Sequence, residues 1–156
     1  MIDLDSLFTT LKDSTTNVIK TLTGLDAVAG STLPPDKNPH TSYVSGNIGM
    51  TGEMKLSLTV GFSETLITKI YGTVFPEEAG QVTIFHMGDF VGEITNMISG
   101  GLRSTLAGLD MKFDSALPTV VIGSQQIYHP SGTIAKVITF DVGGDSMFIE
   151  VGIKAL

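Results

Sequence analysis

Residues 82–109 read VTIFHMGDFVGEITNMISGGLRSTLAGL, and the rest of the chain is organised around this segment. Its apolar residues recur at intervals of three and four, which is the spacing of one face of an α-helix. The pattern therefore predicts one long amphipathic helix whose apolar face lies in the core. The residues of that face are Met87, Phe90, Val91, Ile94, Met97, Ile98, Gly101, Leu102 and Leu106.

The other two faces of this helix are polar and small. At about 100° per residue, the polar face consists of His86, Asp89, Glu93, Asn96, Gly100 and Arg103. A narrower strip consists of Gly88, Gly92, Thr95 and Ser99. A glycine inside a helix costs about 1 kcal/mol relative to alanine, so we expect this strip to lie where another backbone comes close. That backbone belongs either to the first helix of the chain or to a binding partner.

A metal site on the polar face is the first alternative to weigh. His86, Asp89 and Glu93 are spaced so that they could bind a divalent metal. An ordinary exposed surface is the simpler interpretation of such residues, so we expect no metal site and no cofactor of the protein's own.

The composition excludes several classes of protein. Nine Lys and Arg residues against sixteen Asp and Glu give a net charge of −7, so we expect no binding to nucleic acid. No apolar run reaches the roughly 18 residues of a membrane span, and the acidic N-terminus lacks the features of a signal peptide. The absence of cysteine excludes disulfides and cysteine nucleophiles. We expect a cytoplasmic protein with a single domain over residues 1–156.

Further helices follow from local patterns. Apolar spacing predicts a helix over residues 2–23 that ends at Gly24. Ser63 is a suitable N-cap for a short helix over residues 63–72. Pro76 and the two glutamates after it are typical of a helix start.

Strands are predicted on both sides of the long helix. They are residues 42–50, 54–62, 117–123, 133–142 and 146–155, with turns at 51–53 and 143–145. Residues 30–41 are rich in proline and polar residues, which predicts a loop.

The two halves of the chain repeat each other at a distance of roughly 80 residues. Residues 14–19 read STTNVI and residues 93–98 read EITNMI, and each copy is followed by Gly-Leu-Asp, Leu-Pro and a hairpin. The pattern indicates an internal duplication. Ser14 stands in the first copy where Glu93 stands in the second, so a Glu–Asn site would be retained only in the second copy.

The segment Glu93-Ile94-Thr95-Asn96-Met97-Ile98-Ser99-Gly100 resembles the E-x-x-N-M-x-x-G helix of the CheC/CheX/FliY family of chemotaxis phosphatases. Residues 43–52 resemble the first hairpin of that family, residues 117–123 the segment after the motif helix, and the last two strands its terminal pair. Members of the CheC type carry the motif in both helices and members of the CheX type only in the second. With Ser14 in the first copy, the chain is similar to CheX.

The resemblance implies a mixed α/β (α+β) fold in which two long helices pack on an antiparallel sheet in pseudo-twofold halves. It also implies a homodimer formed through the sheets, for which residues 133–142 and 43–50 are both candidates. The implied activity is hydrolysis of the aspartyl phosphate on a CheY-like response regulator, whose receiver domain supplies Mg²⁺.

The implied chemistry suits a glutamate and an asparagine one helical turn apart. Phosphoryl transfer depends mainly on positioning and charge stabilisation, and the amide of Asn96 offers one water both an acceptor and a donor. Glu93, on the same face, is expected to dock on the receiver's active-site lysine. Gly92 and Gly100 keep the helix slim at the docking surface, and Asp89 is expected to lie there too. The alternative is a non-catalytic module that binds a receiver or a flagellar-switch partner.

Overall fold

The structure, a computed structural model, describes residues 2–78 and 80–156. In this part of the chain, three α-helices lie on a seven-stranded antiparallel sheet. The helices are α1 (Leu4–Thr23), α2 (Glu64–Val74) and α3 (Ile84–Ala107). The strands are β1 (Ala27–Leu33), β2 (Val44–Thr51), β3 (Met54–Phe62), β4 (Asp114–Ser115), β5 (Thr119–Ile122), β6 (Ile134–Val142) and β7 (Asp145–Ala155). The mixed α/β (α+β) fold predicted from the sequence is confirmed.

The order of the strands displays the duplication. The sheet runs β1-β6-β7-β3-β2, and both β4 and β5 pair with β2. Each half contains a long helix, an outer strand and a hairpin, and the outer strand of one half pairs with the hairpin of the other half. The first half also contains α2, and the second also contains the short strand β4. The two halves therefore meet at the β3–β7 pair and exchange their outer strands, β1 and β5.

Local signals set the ends of the helices. The Asp3 carboxylate caps α1 by accepting from the Ser6 backbone N–H at 2.9 Å. Hydrogen bonds from the Ser6 hydroxyl and backbone lower the pKa of Asp3. Gly24 ends α1 in the left-handed conformation, with φ of 73°. Thr83 caps α3 by accepting from the His86 N–H at 3.3 Å.

The main core lies between the helices and one face of the sheet. Its fully buried side chains come from all three helices and from alternate positions of the central strands, as the period of two requires. Examples are Leu11, Ile94, Ile98, Val60 and Ile149, each 0% exposed. None of the described helices is both long enough and apolar enough to cross a membrane.

The opposite face of the sheet is covered by two irregular segments, residues 34–42 and 123–133. The Asn38 amide donates to the backbone carbonyl of Val137 at 2.8 Å, and the Gln125 amide donates to the Ser45 hydroxyl at 2.7 Å. Both sides of the sheet are therefore packed within the chain.

The structure corrects several predictions from local sequence. Residues 27–33 form β1, whereas part of this segment was predicted as a loop. Strand β1 is an edge strand with an irregular register and mostly exposed residues. It therefore lacks the alternating pattern of a half-buried strand. Helix α2 continues past Gly72 to Val74. The helix predicted to start at Pro76 is a short 3₁₀ helix, Pro76–Glu78, and α3 begins separately at Ile84.

The positions of the two candidate dimer strands within the sheet bear on the predicted homodimer. Both β2 and β6 lie inside the sheet, with a neighbour on each side. Residues 44–47 of β2 pair with β5, whereas residues 134–136 of β6 lie beyond the end of β1 and pair with β7 only, so the choice between the two strands stays a prediction. Only β1, β4 and β5 lie at an edge among the described strands.

Candidate functional site

Glu93 and Asn96 both lie on the exposed face of α3. Their neighbours Ile94, Thr95 and Ile98 are 0% exposed and fix the orientation of the helix. The exposed carboxylate and amide are thus one turn apart on a rigid element. In the part of the chain that the structure describes, neither side chain has a hydrogen bond or an ion pair.

Thr95 holds α3 against β2 at very short range. Its hydroxyl donates to the Val91 carbonyl at 2.7 Å, and a Cβ atom placed on Gly46 would collide with the Thr95 side chain. Close approach of a backbone therefore occurs on the small strip as predicted, but the glycine that permits it lies on the strand.

The remaining docking residues predicted from the sequence lie along the same helix. Asp89 is exposed, Gly92 is buried and Gly100 is half-buried. Gly88 and Gly92 face Val120 of β5, so the small strip packs on the sheet and not on α1. The alternative in which this strip contacts the first helix is wrong.

Two grooves lie on either side of Asp89 and Glu93, and both residues line both grooves. The aromatic groove, of about 560 Å³, lies between α3, α2 and the end of α1. Its other lining residues are Leu22, Tyr71, Val74, Phe75, His86, Phe90, Ile94 and Met97. The glycine groove, of about 380 Å³, lies between α3 and β5. Its other lining residues are Ile84, Phe85, Gly88, Gly92, Pro118, Val120 and Ile122.

The wall of the aromatic groove is a set of rings in mutual contact. The Tyr71 ring centroid lies 4.8 Å from that of Phe75 and 5.6 Å from that of Phe90. The Tyr71 hydroxyl donates to the Glu78 carboxylate at 2.7 Å. This hydrogen bond, burial and the charges of Glu78 and Asp89 raise the pKa of Tyr71. The wall is therefore held in place before any partner arrives.

Met97 was predicted to face the core but is 39% exposed. It lines the aromatic groove together with Leu22 of α1. Near Leu22 and Met97, α1 and α3 leave a gap between them, so the apolar face of α3 is only partly covered there.

The matching segment of α1 is built differently. The Ser14 hydroxyl donates to the Ile98 carbonyl of α3 at 2.9 Å, and a Cβ atom on Gly101 would lie 2.5 Å from the Ser14 oxygen. Ser14 is thus a contact between two helices, while Asn17 is exposed. The first copy therefore lacks the carboxylate, and position 14 packs against α3 instead.

A buried carboxylate that sequence reasoning missed lies on the opposite face of the sheet. Glu150 of β7 is 4% exposed and contacts two imidazoles, at 2.8 Å to His129 and 3.1 Å to His40. Nothing local in the sequence links either histidine to residue 150. No group of three or more His, Asp or Glu among the described residues is arranged to hold a metal. We interpret the cluster as a clamp that holds the two covering segments.

Comparisons with known proteins show which family the chain resembles. The sequence profile of the family described as chemotaxis phosphatase CheX matches residues 44–141. A CheC-like superfamily protein from Shewanella sp. PV-4 is 31% identical with a TM-score of 0.86, and the alignment covers 99% of this chain and 100% of that chain. Chemotaxis protein CheX from Vibrio vulnificus is 29% identical with a TM-score of 0.86, covering 96% of this chain and 99% of that chain.

A more distant structure shows the fold alone. It is the CheX-CheY-BeF3-Mg²⁺ complex from Borrelia burgdorferi, whose matching chain is 16% identical with a TM-score of 0.78 and 99% coverage of both chains. No curated protein sequence matches the chain significantly. The profile match spans more than half of the chain and includes all of α3, and the Shewanella protein is similar over the full length. The chain therefore belongs to the CheX family of chemotaxis phosphatases.

Proposed function

We propose that this protein hydrolyses the aspartyl phosphate of a CheY-like response regulator. The observation that carries the proposal is the pair Glu93 and Asn96. Both are exposed, one turn apart, on helix α3, whose opposite face is buried in the core. Membership of a phosphatase family supports the activity, and the Borrelia structure, a complex of a related fold with CheY, supports the class of partner.

Asn96 orients the attacking water. Its amide carbonyl accepts from the water and its NH₂ group donates to it, which holds the water in line with the phosphorus. The water oxygen bonds to phosphorus, the bond from phosphorus to the aspartyl oxygen breaks, and the products are inorganic phosphate and the free carboxylate. This role requires positioning and not a covalent intermediate.

Glu93 docks on the lysine of the receiver's active site. A carboxylate beside the receiver's own acidic cluster is a poor general base unless it is paired, so pairing with the lysine suits it better. Such a charge-assisted contact fixes the register in which Asn96 enters the partner.

The rest of the docking surface lies on the same side of α3. A Cβ atom on Gly100 would have nothing within 4 Å, so this glycine is not required by internal packing and leaves room for the partner. We include Gly92 and Asp89 in the same surface. Mg²⁺ belongs to the receiver, as the composition of the Borrelia complex suggests.

The decisive experiment compares Asn96→Ala with Asn17→Ala, since both residues are exposed asparagines at matching positions of the two copies. We expect Asn96→Ala to lower kcat for phosphate release from a phosphorylated CheY-like receiver by about a hundredfold or more. Asn17→Ala should release phosphate at the wild-type rate. Circular dichroism melts should show both variants folded.

Normal turnover by Asn96→Ala would reject the proposed role. Receiver binding without phosphate release by the wild-type protein would favour the alternative, a non-catalytic module that binds a receiver or a flagellar-switch partner. We also propose a cytoplasmic homodimer, and a strict monomer by light scattering at micromolar concentration would reject the dimer.

A further inference from the structure

The glycine groove contains two glycines that internal packing does not demand. A Cβ atom on Gly88 would lie 3.6 Å from a Val120 methyl, and one on Gly92 would lie 3.5 Å from the other methyl. Both are ordinary van der Waals contacts, so alanine would fit at either position and would strengthen the helix. The fold alone therefore favours alanine, and the glycines leave space open between α3 and β5.

The glycine groove is aligned along α3 with the proposed site. Gly88, Gly92, Asn96 and Gly100 follow one another at intervals of four, so they form one slowly winding row along the helix. Asn96 is the member of this row with a side chain beyond Cα. A segment of a partner that lies in the glycine groove therefore points along the helix toward the Asn96 amide.

The walls and the rim of the groove have opposite character. Phe85 is 80% exposed and Ile122 is 50% exposed, so the walls present apolar surface to solvent. Asp89 and Glu93 form an acidic rim, and neither lysine nor arginine lines the groove. This chemistry suits an apolar segment with a cationic side chain at its border.

We propose that the glycine groove receives an apolar loop of the CheY-like receiver, next to the lysine that Glu93 contacts, and thereby selects which receiver is accepted. This inference rests on the proposed function. The aromatic groove suits this role less, because its rings contact one another and its lining residues do not continue the row that contains Asn96.

Two variants test the groove, each with a matched control. Gly88→Leu fills the groove, and Ser104→Leu adds the same side chain at an exposed position of α3 that lines neither groove. Phe85→Ala removes one wall with little effect on folding because the ring is exposed. Tyr128→Ala removes another exposed aromatic side chain, 85% exposed, from a segment on the opposite face of the sheet.

Steady-state phosphate release is measured with a CheY-like receiver phosphorylated by a small-molecule donor. We expect Gly88→Leu and Phe85→Ala to raise KM about tenfold and to leave kcat within about twofold, since the groove binds the partner without touching the reacting atoms. Both controls should keep the wild-type KM. An unchanged KM in both groove variants would overturn this inference and leave the proposed function intact.

Two further measurements separate other outcomes. If the wild-type protein releases no phosphate, the proposed activity fails. Calorimetric titration with the BeF₃-activated receiver then tests the groove by itself, and Gly88→Leu and Phe85→Ala should each bind the receiver about tenfold more weakly than the wild type. If Phe85→Ala or Gly88→Leu converts a wild-type dimer to a monomer by light scattering, the groove is a contact between copies of this chain and the inference is wrong.

Discussion

Glu93 of α3 and Ser14 of α1 occupy matching positions in the two copies, but Glu93 faces solvent and Ser14 faces the other helix. The shift along the sequence that maps Ser14 onto Glu93 also maps Leu22 onto Gly101. Gly101 touches Ser14, whereas Leu22 and Glu93 stand across the open aromatic groove. The helix pair is therefore closed at one end and open at the other.

This difference explains why only the second copy has room for the carboxylate of the proposed site. Close approach of α1 and α3 at Ser14 requires a small side chain on one helix and a glycine on the other. A carboxylate at position 14 would need the space that this contact fills. The open end, in contrast, leaves position 93 free for a long charged side chain. The comparison makes four predictions.

The largest effect is expected from Glu93→Ala, compared with Ser14→Ala. Loss of a hydrogen bond to a charged partner should lower kcat/KM for phosphate release by about tenfold to a hundredfold. Ser14→Ala should leave kcat/KM unchanged, because Ser14 contacts only the chain itself in this interpretation. Equal losses in the two variants would contradict the assignment of the site to the second copy.

Ser14→Glu should destabilise the fold by about 1–3 kcal/mol, because it removes the hydrogen bond to Ile98 and forces a larger side chain against Gly101. The free energy of unfolding from urea titration measures this effect. Asn17→Glu on the exposed side of the same helix is the control, with a change within about 0.5 kcal/mol. A Ser14→Glu variant as stable as the wild type would show that packing does not exclude the carboxylate.

Gly101→Ala should destabilise the fold by about 1 kcal/mol, since the new methyl would overlap the Ser14 oxygen and the helix propensity of alanine offsets only part of that cost. In a Ser14→Ala background the nearest remaining atom is the Cβ of residue 14, at 3.5 Å. The same substitution should then be neutral or stabilising. A double-mutant cycle measures the coupling, and its absence would contradict the close contact.

The smallest effect is expected from Gly100→Ala, at the position next to Gly101, and it should be a gain in stability. Since a Cβ atom here has nothing within 4 Å, the substitution should stabilise the fold by about 0.5–1 kcal/mol. Thermal unfolding measures the gain. A loss of stability would show that Gly100 is needed by the fold itself and would remove the reason for placing it in a docking surface.

The sequence predicted α3 well because its signals are local. Its spacing of three and four predicted which residues are buried. Of the predicted apolar face only Met97 is exposed, at the open end of the helix pair, and Gly101 is half-buried. The exposed positions of Glu93 and Asn96 followed from the same period. The choice of these two residues as a site came from the family resemblance, since exposed polar residues on a helix are common.

What the sequence could not predict depends on contacts between distant residues. The strip with Gly88 and Gly92 could have faced α1, β5 or a partner, because a periodic pattern does not name the element opposite it. Strand β1 was missed since an exposed edge strand has no alternation to detect. The carboxylate of Glu150 meets histidines from two separate loops, and no local pattern could bring these together.

The exchange of outer strands between the halves has a consequence for how each half folds. Since β1 completes the hairpin of the second half and β5 completes that of the first, neither half could pair the outer backbone groups of its hairpin by itself. We therefore expect the two halves to unfold together, as one cooperative unit.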